Sequence, residues 1–290
     1  MYKNNRLKFV FDTSGIDIRG KTENRITLDN CKASVKVTNG GAAMAGNANF
    51  TIYGLSTELI TALCKVGASG YHVQAGATVE VEIYANDSLV YSGNVYYVNA
   101  DMNETPDVGV EFIASASKQL MSSKAPDYSF KGTRNFTQIL KDICNASDYD
   151  FVDKGVTGSQ TNGYYSGTPL EQIRSLCVAG KINFAVNGRV VYAWNRYRGK
   201  LAATRPVVSP ENGLIGYPVY TRGGLTIQTQ FSPFIVQGEQ LRLDTSLPGA
   251  SGDYDARLVS HYLTSWTKNG AWHTIATISP FVPEKENGNE

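Results

Sequence analysis

The sequence predicts a mainly β protein with a small α+β insert: two related antiparallel β-barrels flanking a mixed middle module. Three observations carry this. Short runs of alternating apolar and polar residues recur up to residue 117 and again after residue 206, the pattern of strands with one buried face. Twenty-eight glycines and seventeen tyrosines in 290 residues suit many turns and half-buried strands. Between the two β regions the periodicity changes to that of amphipathic helices.

In chain order, Leu7 to Thr13 reads as a first strand and Arg25 to Leu28 as a second. In the third, Cys31 to Thr38, Cys31, Ala33, Val35 and Val37 face one way and Lys32, Ser34 and Lys36 the other. Residues 39–49 are small and glycine-rich, a loop expected to order only against a partner. After the strand Asn49 to Tyr53, Ser56 is placed to cap a helix with Glu58 in its first turn. Leu59, Ile60, Leu63 and Val66 recur at helical spacing and Gly67 closes it. Thr78 to Tyr84 is a strand with Val79, Val81 and Ile83 inward. Ser88 to Ala100 is a long strand in which Gly93 predicts a bulge. Asp107 to Ser115 returns antiparallel through the turn Asn103-Glu104-Thr105-Pro106.

The middle region predicts one helix over about 134–146, from Phe136, Ile139, Leu140 and Ile143. A second runs from Leu170 to Val178, entered through Thr168-Pro169 and ended by Gly180. Asn187-Gly188 between two alternating runs signals a hairpin. The polar stretch Gly155 to Gly167 is expected to lack order. After Arg205-Pro206 come an aromatic turn (Gly216-Tyr217-Pro218-Val219-Tyr220), the pair Gly223-Gly224 and the alternating run Leu225 to Phe231. Another alternating run follows Gly238, then a long hairpin around Lys268-Asn269-Gly270. The expected division is a first barrel over 1–117, the α+β module over 118–205, a second barrel over 206–282 and a flexible tail over 283–290. Asn94 to Ser117 and Ala256 to Ser279 share a layout of long strand, polar turn and long strand, which suggests a repeat. The alternative is that long hairpins resemble one another.

Little reactive chemistry is visible. Net charge is +1, and the longest basic cluster is Arg196-Tyr197-Arg198-Gly199-Lys200, so a broad phosphate-binding face is not expected. Charged residues are only 18 %, which with abundant Tyr suits either a chain that buries much surface against partners or a plain β-rich domain. No apolar stretch is long enough to span a bilayer, and no apolar N-terminal segment suggests secretion. The four cysteines have no metal-type spacing and are expected to stay reduced and packed. Of the three histidines, His72, His261 and His273, the latter two are expected on paired strands, not opposite each other, at surface or half-buried positions, and a two-histidine metal site there would lack a third ligand. Glu80 and Glu82 read as solvent-facing, and Asp253-Tyr254-Asp255 as a solvated acidic turn, with cation binding as the alternative. No catalytic, metal-binding or cofactor-binding residue is named, and no enzyme is expected.

One family resemblance emerges. Gly213-Leu214-Ile215-Gly216, Pro218, Gly223-Gly224-Leu225, Pro233 and Gly238, followed by the 255–279 hairpin, resemble the C-terminal barrel of baseplate hub proteins of phage tails. The run Asn49 to Leu59 (NFTIYGLSTEL), then Val79 to Tyr84 and Val90 to Gly93, resembles their first barrel, and the order of elements in the middle fits as well. The resemblance spans about residues 7 to 280. It implies two tail-tube-like barrels per chain and a homotrimer with a pseudo-sixfold ring. That ring would join the sixfold tail tube, or a distal tube protein, to a threefold central spike among other baseplate proteins. It further implies a virion location in the tail baseplate after assembly in the host cytoplasm, a part in genome ejection, DNA only as cargo in the lumen, and no catalysis. Tyr217, Pro218, Tyr220, Arg222 and Met44 are the candidate partner contacts. The alternatives are another tail component (a distal tail or tube protein), or a cell-wall hydrolase or carbohydrate-binding β protein.

Overall fold

A computed structural model describes residues 5–13, 25–40, 46–67, 79–197 and 202–281. The first β region contains β1 (Leu7–Asp12), β2 (Arg25–Asp29), β3 (Ala33–Gly40), β4 (Asn47–Tyr53), β5 (Val79–Ala85), β6 (Ser88–Ala100) and β7 (Gly109–Ser115). Alternation places Ala33, Val35 and Val37 of β3, and Val79, Val81 and Ile83 of β5, in the core. The strands lie in the order β3-β4-β7-β6-β5-β1-β2, every pair antiparallel. In a flat sheet β1 and β4 would stand about 19 Å apart. Yet Phe9 of β1 stacks on Phe50 of β4 at 5.4 Å, and Phe11 meets Phe112 of β7 at 5.5 Å. The sheet therefore curls around a ring cluster. Helix α1 (Thr57–Gly67) packs against β6, its entry held by the Leu59 N–H donating to Ser56 Oγ at 3.3 Å.

The last β region contains β15 (Val207–Val208), β16 (Val219–Thr221), β17 (Gly224–Gln230), β18 (Gln240–Leu243), β19 (Gly252–Ser265) and β20 (Trp272–Pro280), numbered after the middle strands β8–β14 given below. Leu225, Ile227, Leu241, Leu243, Ala256 and Ile278 belong to its own core. This region is not a separate layer. Residues 258–265 of β19 pair antiparallel with β3 over eight residue pairs, which makes both regions one thirteen-stranded sheet.

The two regions also share one plan. The order β3-β4-β7-β6-β5 is repeated as β16-β17-β20-β19-β18. Registers match as well: Ala48 lies opposite Ala114 as Leu225 lies opposite Ile278, and Val81 opposite Gly93 as Leu241 opposite Tyr254. Each long hairpin carries one extra residue at the same place. Tyr96 is extra between Val95 and Tyr97, and Arg257 between Ala256 and Leu258. By register Asn94 corresponds to Asp255, and Ser115 to Ser279. The alignment read from sequence, Asn94 with Ala256 and Ser117 with Ser279, is thus displaced by one residue at its start and two at its end.

Gly93 is not a bulge. It sits in register opposite Val81, and the extra residues of β6 are Val90 and Tyr96. A Cβ at Gly93 would meet Tyr91 Oη at 2.4 Å and Ala116 N at 2.9 Å, so the glycine makes room for the buried Tyr91 ring.

The middle region contains α2 (Lys118–Ser122), β8 (Tyr128–Ser129), β9 (Thr133–Asn135), α3 (Phe136–Asn145), β10 (Asp150–Asp153), β11 (Ser159–Thr161), β12 (Tyr164–Tyr165), α4 (Pro169–Ala179), β13 (Ile182–Asn187) and β14 (Val190–Asn195). Residues 155–167 are ordered, contrary to expectation. β11 pairs β9 and β12 pairs β8, Gly132 N–H donates to Asn162 Oδ1 at 2.8 Å, and the Thr133 and Thr161 hydroxyls meet at 2.8 Å. The Asn187-Gly188 turn docks on β6: Gly188 N–H donates to Ser92 O at 2.8 Å and Ser92 N–H to Asn187 Oδ1 at 3.0 Å. Arg189 fastens the same contact by an ion pair with Glu80 at 2.7 Å. Ile139, Leu140, Ile173 and Leu176 join the core of the first β region rather than forming their own.

Helix α4 begins with a reciprocal cap. Glu171 N–H donates to Thr168 Oγ1, Thr168 N–H donates to Glu171 Oε2 at 2.8 Å, and Pro169 occupies the first turn. Thr168→Ala removes one half of this box and is expected to lower the unfolding free energy by about 1 kcal/mol. Urea denaturation measures it; an unchanged midpoint would show that Glu171 alone caps the helix.

Candidate assembly interface

Reactive chemistry stays sparse when side chains are placed in space. Cys144 is buried and its thiol is pushed up to about 12; burial, then the neighbouring Cys144, raises Cys177 too. Such thiols stay protonated and pack rather than attack. His261 and His273 are not opposite each other, since His261 faces Thr274 and His273 faces Tyr262. His261 is only 1 % exposed, which corrects the expected surface or half-buried position. It can be buried because Thr274 Oγ1 pairs with Nδ1 at 2.9 Å and Phe231 packs edge-on at 5.3 Å; burial lowers its pKa to about 4. His72 and residues 198–200 of the basic cluster lie outside the described residues.

Three of the acidic candidates, Glu80, Glu82 and Asp253, are held in ion pairs. Asp253 is not in a solvated turn but in β19, paired with Arg205 at 2.9 Å and Arg242 at 3.6 Å. Glu80 holds Arg189, and Glu82 pairs with Arg25 at 3.0 Å. Among the described residues no three His, Cys, Asp or Glu side chains gather as a metal site. A cleft of about 230 Å³ lies beside His261, lined by Lys154, Tyr192, Pro233, Val236 and Gln237. It is smaller than a typical small-molecule pocket.

What the surface does offer is strand edge and exposed aromatic area. Tyr217, just before β16, is 69 % exposed and Tyr220 on β16 is 60 % exposed; the only strand partner of β16 among the described residues is β17. Arg222 is exposed in the turn that follows. Pro218, by contrast, is buried and unable to meet a partner directly. Met44 lies outside the described residues. So three of the five predicted contacts cluster at one edge, with Val219 between them, 62 % exposed. A second aromatic edge was missed from sequence: Tyr96, Tyr97 and Met102 are exposed at the far end of β6. The extra residue Tyr96 interrupts alternation there, so the run Tyr96-Tyr97-Val98 could not be assigned faces from its pattern. A broken period beside paired tyrosines is the signal that would have found it.

Comparison with known proteins gives the fold a context. A family model described as baseplate hub gp41 matches residues 15–273. No curated protein matches the chain in sequence. Among solved structures, the fold is similar to the 43 kDa tail protein of prophage MuSo2 from Shewanella oneidensis, with TM-score 0.64, 8 % identity, and coverage of 94 % of this chain and 97 % of that one. A tail protein from Neisseria meningitidis MC58 is similar at TM-score 0.62 and 9 % identity, over 93 % of this chain and 96 % of the other. The E. coli c3393 protein, described as a type VI secretion component with structural similarity to T4 bacteriophage tail proteins gp27 and gp5, gives TM-score 0.59 at 11 % identity, over 87 % and 74 % of the two chains. At these identities the likeness speaks for the fold alone.

Proposed function

Because the chain belongs to the baseplate hub gp41 family, we propose that it acts as the structural hub of a phage tail baseplate, a homotrimer of pseudo-sixfold symmetry. The β units over 1–117 and 206–282 form the ring, and the 118–205 module braces it. One side of the ring meets the sixfold tail tube or a distal tube protein, and the other meets the threefold central spike, with further baseplate proteins around it. The hub is assembled in the host cytoplasm, resides in the virion tail, and lets DNA pass through its lumen at genome ejection. It is not an enzyme. Ion-paired carboxylates, protonated buried thiols and a buried neutral histidine support that part of the reading.

One observation carries the proposal: a single chain contains two five-strand units of the same order and register, set side by side in one sheet. Three copies then offer six similar positions, which is what an adaptor between sixfold and threefold partners requires. Near-neutral net charge suits a lumen that DNA must leave freely. Light scattering on the purified protein is expected to give three chains per particle. A stable monomer at high concentration would refute the trimer, and a ring of six copies would favour a distal tail or tube protein instead.

A further inference from the structure

The internal repeat exposes two unmatched halves of a junction. β3 has strands on both sides, β4 and β19, whereas its counterpart β16 has only β17 among the described residues. β19 pairs with β18 up to Asp255 and then, past its extra residue, with β3 from Leu258 onward. Its counterpart β6 pairs with β5 up to Val95. Past Tyr96, residues 97–100 keep β7 on one side and have no strand on the other among the described residues. Among the described residues the chain thus makes this junction once within itself and carries both components of a second one without bringing them together.

We infer that a second copy of this chain completes the junction: β16 of one copy pairs antiparallel with the end of β6 in the next. Transferring the β3–β19 register places Tyr97 opposite Gly223, Asn99 opposite Thr221, and Ala100 opposite Tyr220. The side chains fit at each pair. Thr38 Oγ1 and Ser260 Oγ lie 3.3 Å apart in the internal junction, and their counterparts Thr221 and Asn99 are again two side chains able to hydrogen-bond. A Cβ on Gly40 would meet Leu258 Cδ1 at 1.8 Å; the counterpart of Gly40 is Gly223, facing the bulkier Tyr97. The large His261 beside the small Val37 becomes the small Ala100 beside the large Tyr220. Exposure tells the same story: Val37 is fully buried at 0 %, while Tyr220, which occupies the same place on an uncovered edge, is 60 % exposed. Exposed strand edges flanked by Tyr and Val invite pairing with another chain, and Tyr is enriched in protein interfaces.

Such a contact is head-to-tail, and closes into a ring only if the rotation per copy permits. Closure after three copies rests on the trimer proposed above. The test is the double variant Asn99→Cys with Thr221→Cys in the full chain, mildly oxidised and run on a non-reducing gel, with folding checked by circular dichroism. Disulfide-linked dimers and a closed covalent trimer are expected, and either single variant should give none. The off-register pair Asn99→Cys with Val219→Cys is expected to cross-link at least tenfold more slowly. Equal rates for both pairs, or cross-linking by one single variant alone, would overturn the pairing. A trimer by light scattering without the disulfide overturns this pairing and leaves the trimer standing; a monomer overturns both.

Discussion

Replacing Phe50 with alanine is expected to lower the unfolding free energy by about 3–5 kcal/mol, the range for an aromatic removed from a packed core. Phe50 is 3 % exposed and lies between Phe112 at 4.8 Å and Phe9 at 5.4 Å. The gap it would leave cannot close easily. β1, which carries Phe9, is held by β2 on one edge and β5 on the other, and β7, which carries Phe112, by β4 and β6. A residual cavity adds its own cost to the lost apolar transfer. Phe234→Ala is the control: that ring is 74 % exposed, and its loss should move stability by no more than about 0.5 kcal/mol. Urea midpoints for the two variants compare them directly. A Phe50→Ala cost below about 1 kcal/mol would mean that the ring cluster does not hold the curled sheet together.

Acid should weaken the protein through His261. Its folded-state pKa is depressed to about 4, against an ordinary value of 6.5, so the unfolded chain takes up a proton that the folded chain refuses. The stabilisation is complete above pH 6.5 and is lost as pH falls toward about 4, up to about 3 kcal/mol in all. Thr274 on β20, Phe231 after β17 and Val37 across β3 surround the ring, and Lys154, which lines the same cleft, is ion-paired with Glu239. His261→Gln keeps a polar group near Thr274 but removes the titration. The variant is expected to be less stable than the parent at pH 7, with the difference shrinking by about 2–3 kcal/mol at pH 4.5. A difference independent of pH would assign the acid sensitivity elsewhere.

Local features were readable from the residues because their causes are local. Asn187-Gly188 and Asn269-Gly270 mark hairpin turns where the backbone must take positive φ, as Gly188 and Asn269 do. Thr168-Pro169 with Glu171 encodes a helix start in four residues. The β3–β19 junction was not readable. Alternation tells Val35 which face to take but not which strand to lie beside, and its partner Leu263 is far along the chain. Residues 155–167 carry no apolar period; their order comes from pairing with residues 128–135, which composition does not reveal. His261 was misplaced for a related reason. A histidine in an alternating strand looks polar until Thr274, on the adjacent strand, satisfies its ring. At the candidate interface, Tyr217, Tyr220 and Arg222 were found as exposed residues beside a turn. Pro218 broke the pattern by turning inward.

The β3–β19 junction also gives the chain a directional mechanical response. A load that slides one β unit along the other acts on eight residue pairs in parallel, so their backbone hydrogen bonds must yield together. A load that peels the units apart meets the same pairs one after another and needs far less force. Thrust along the strands therefore displaces both units as one stiff body, while a lateral tug opens the seam from its end.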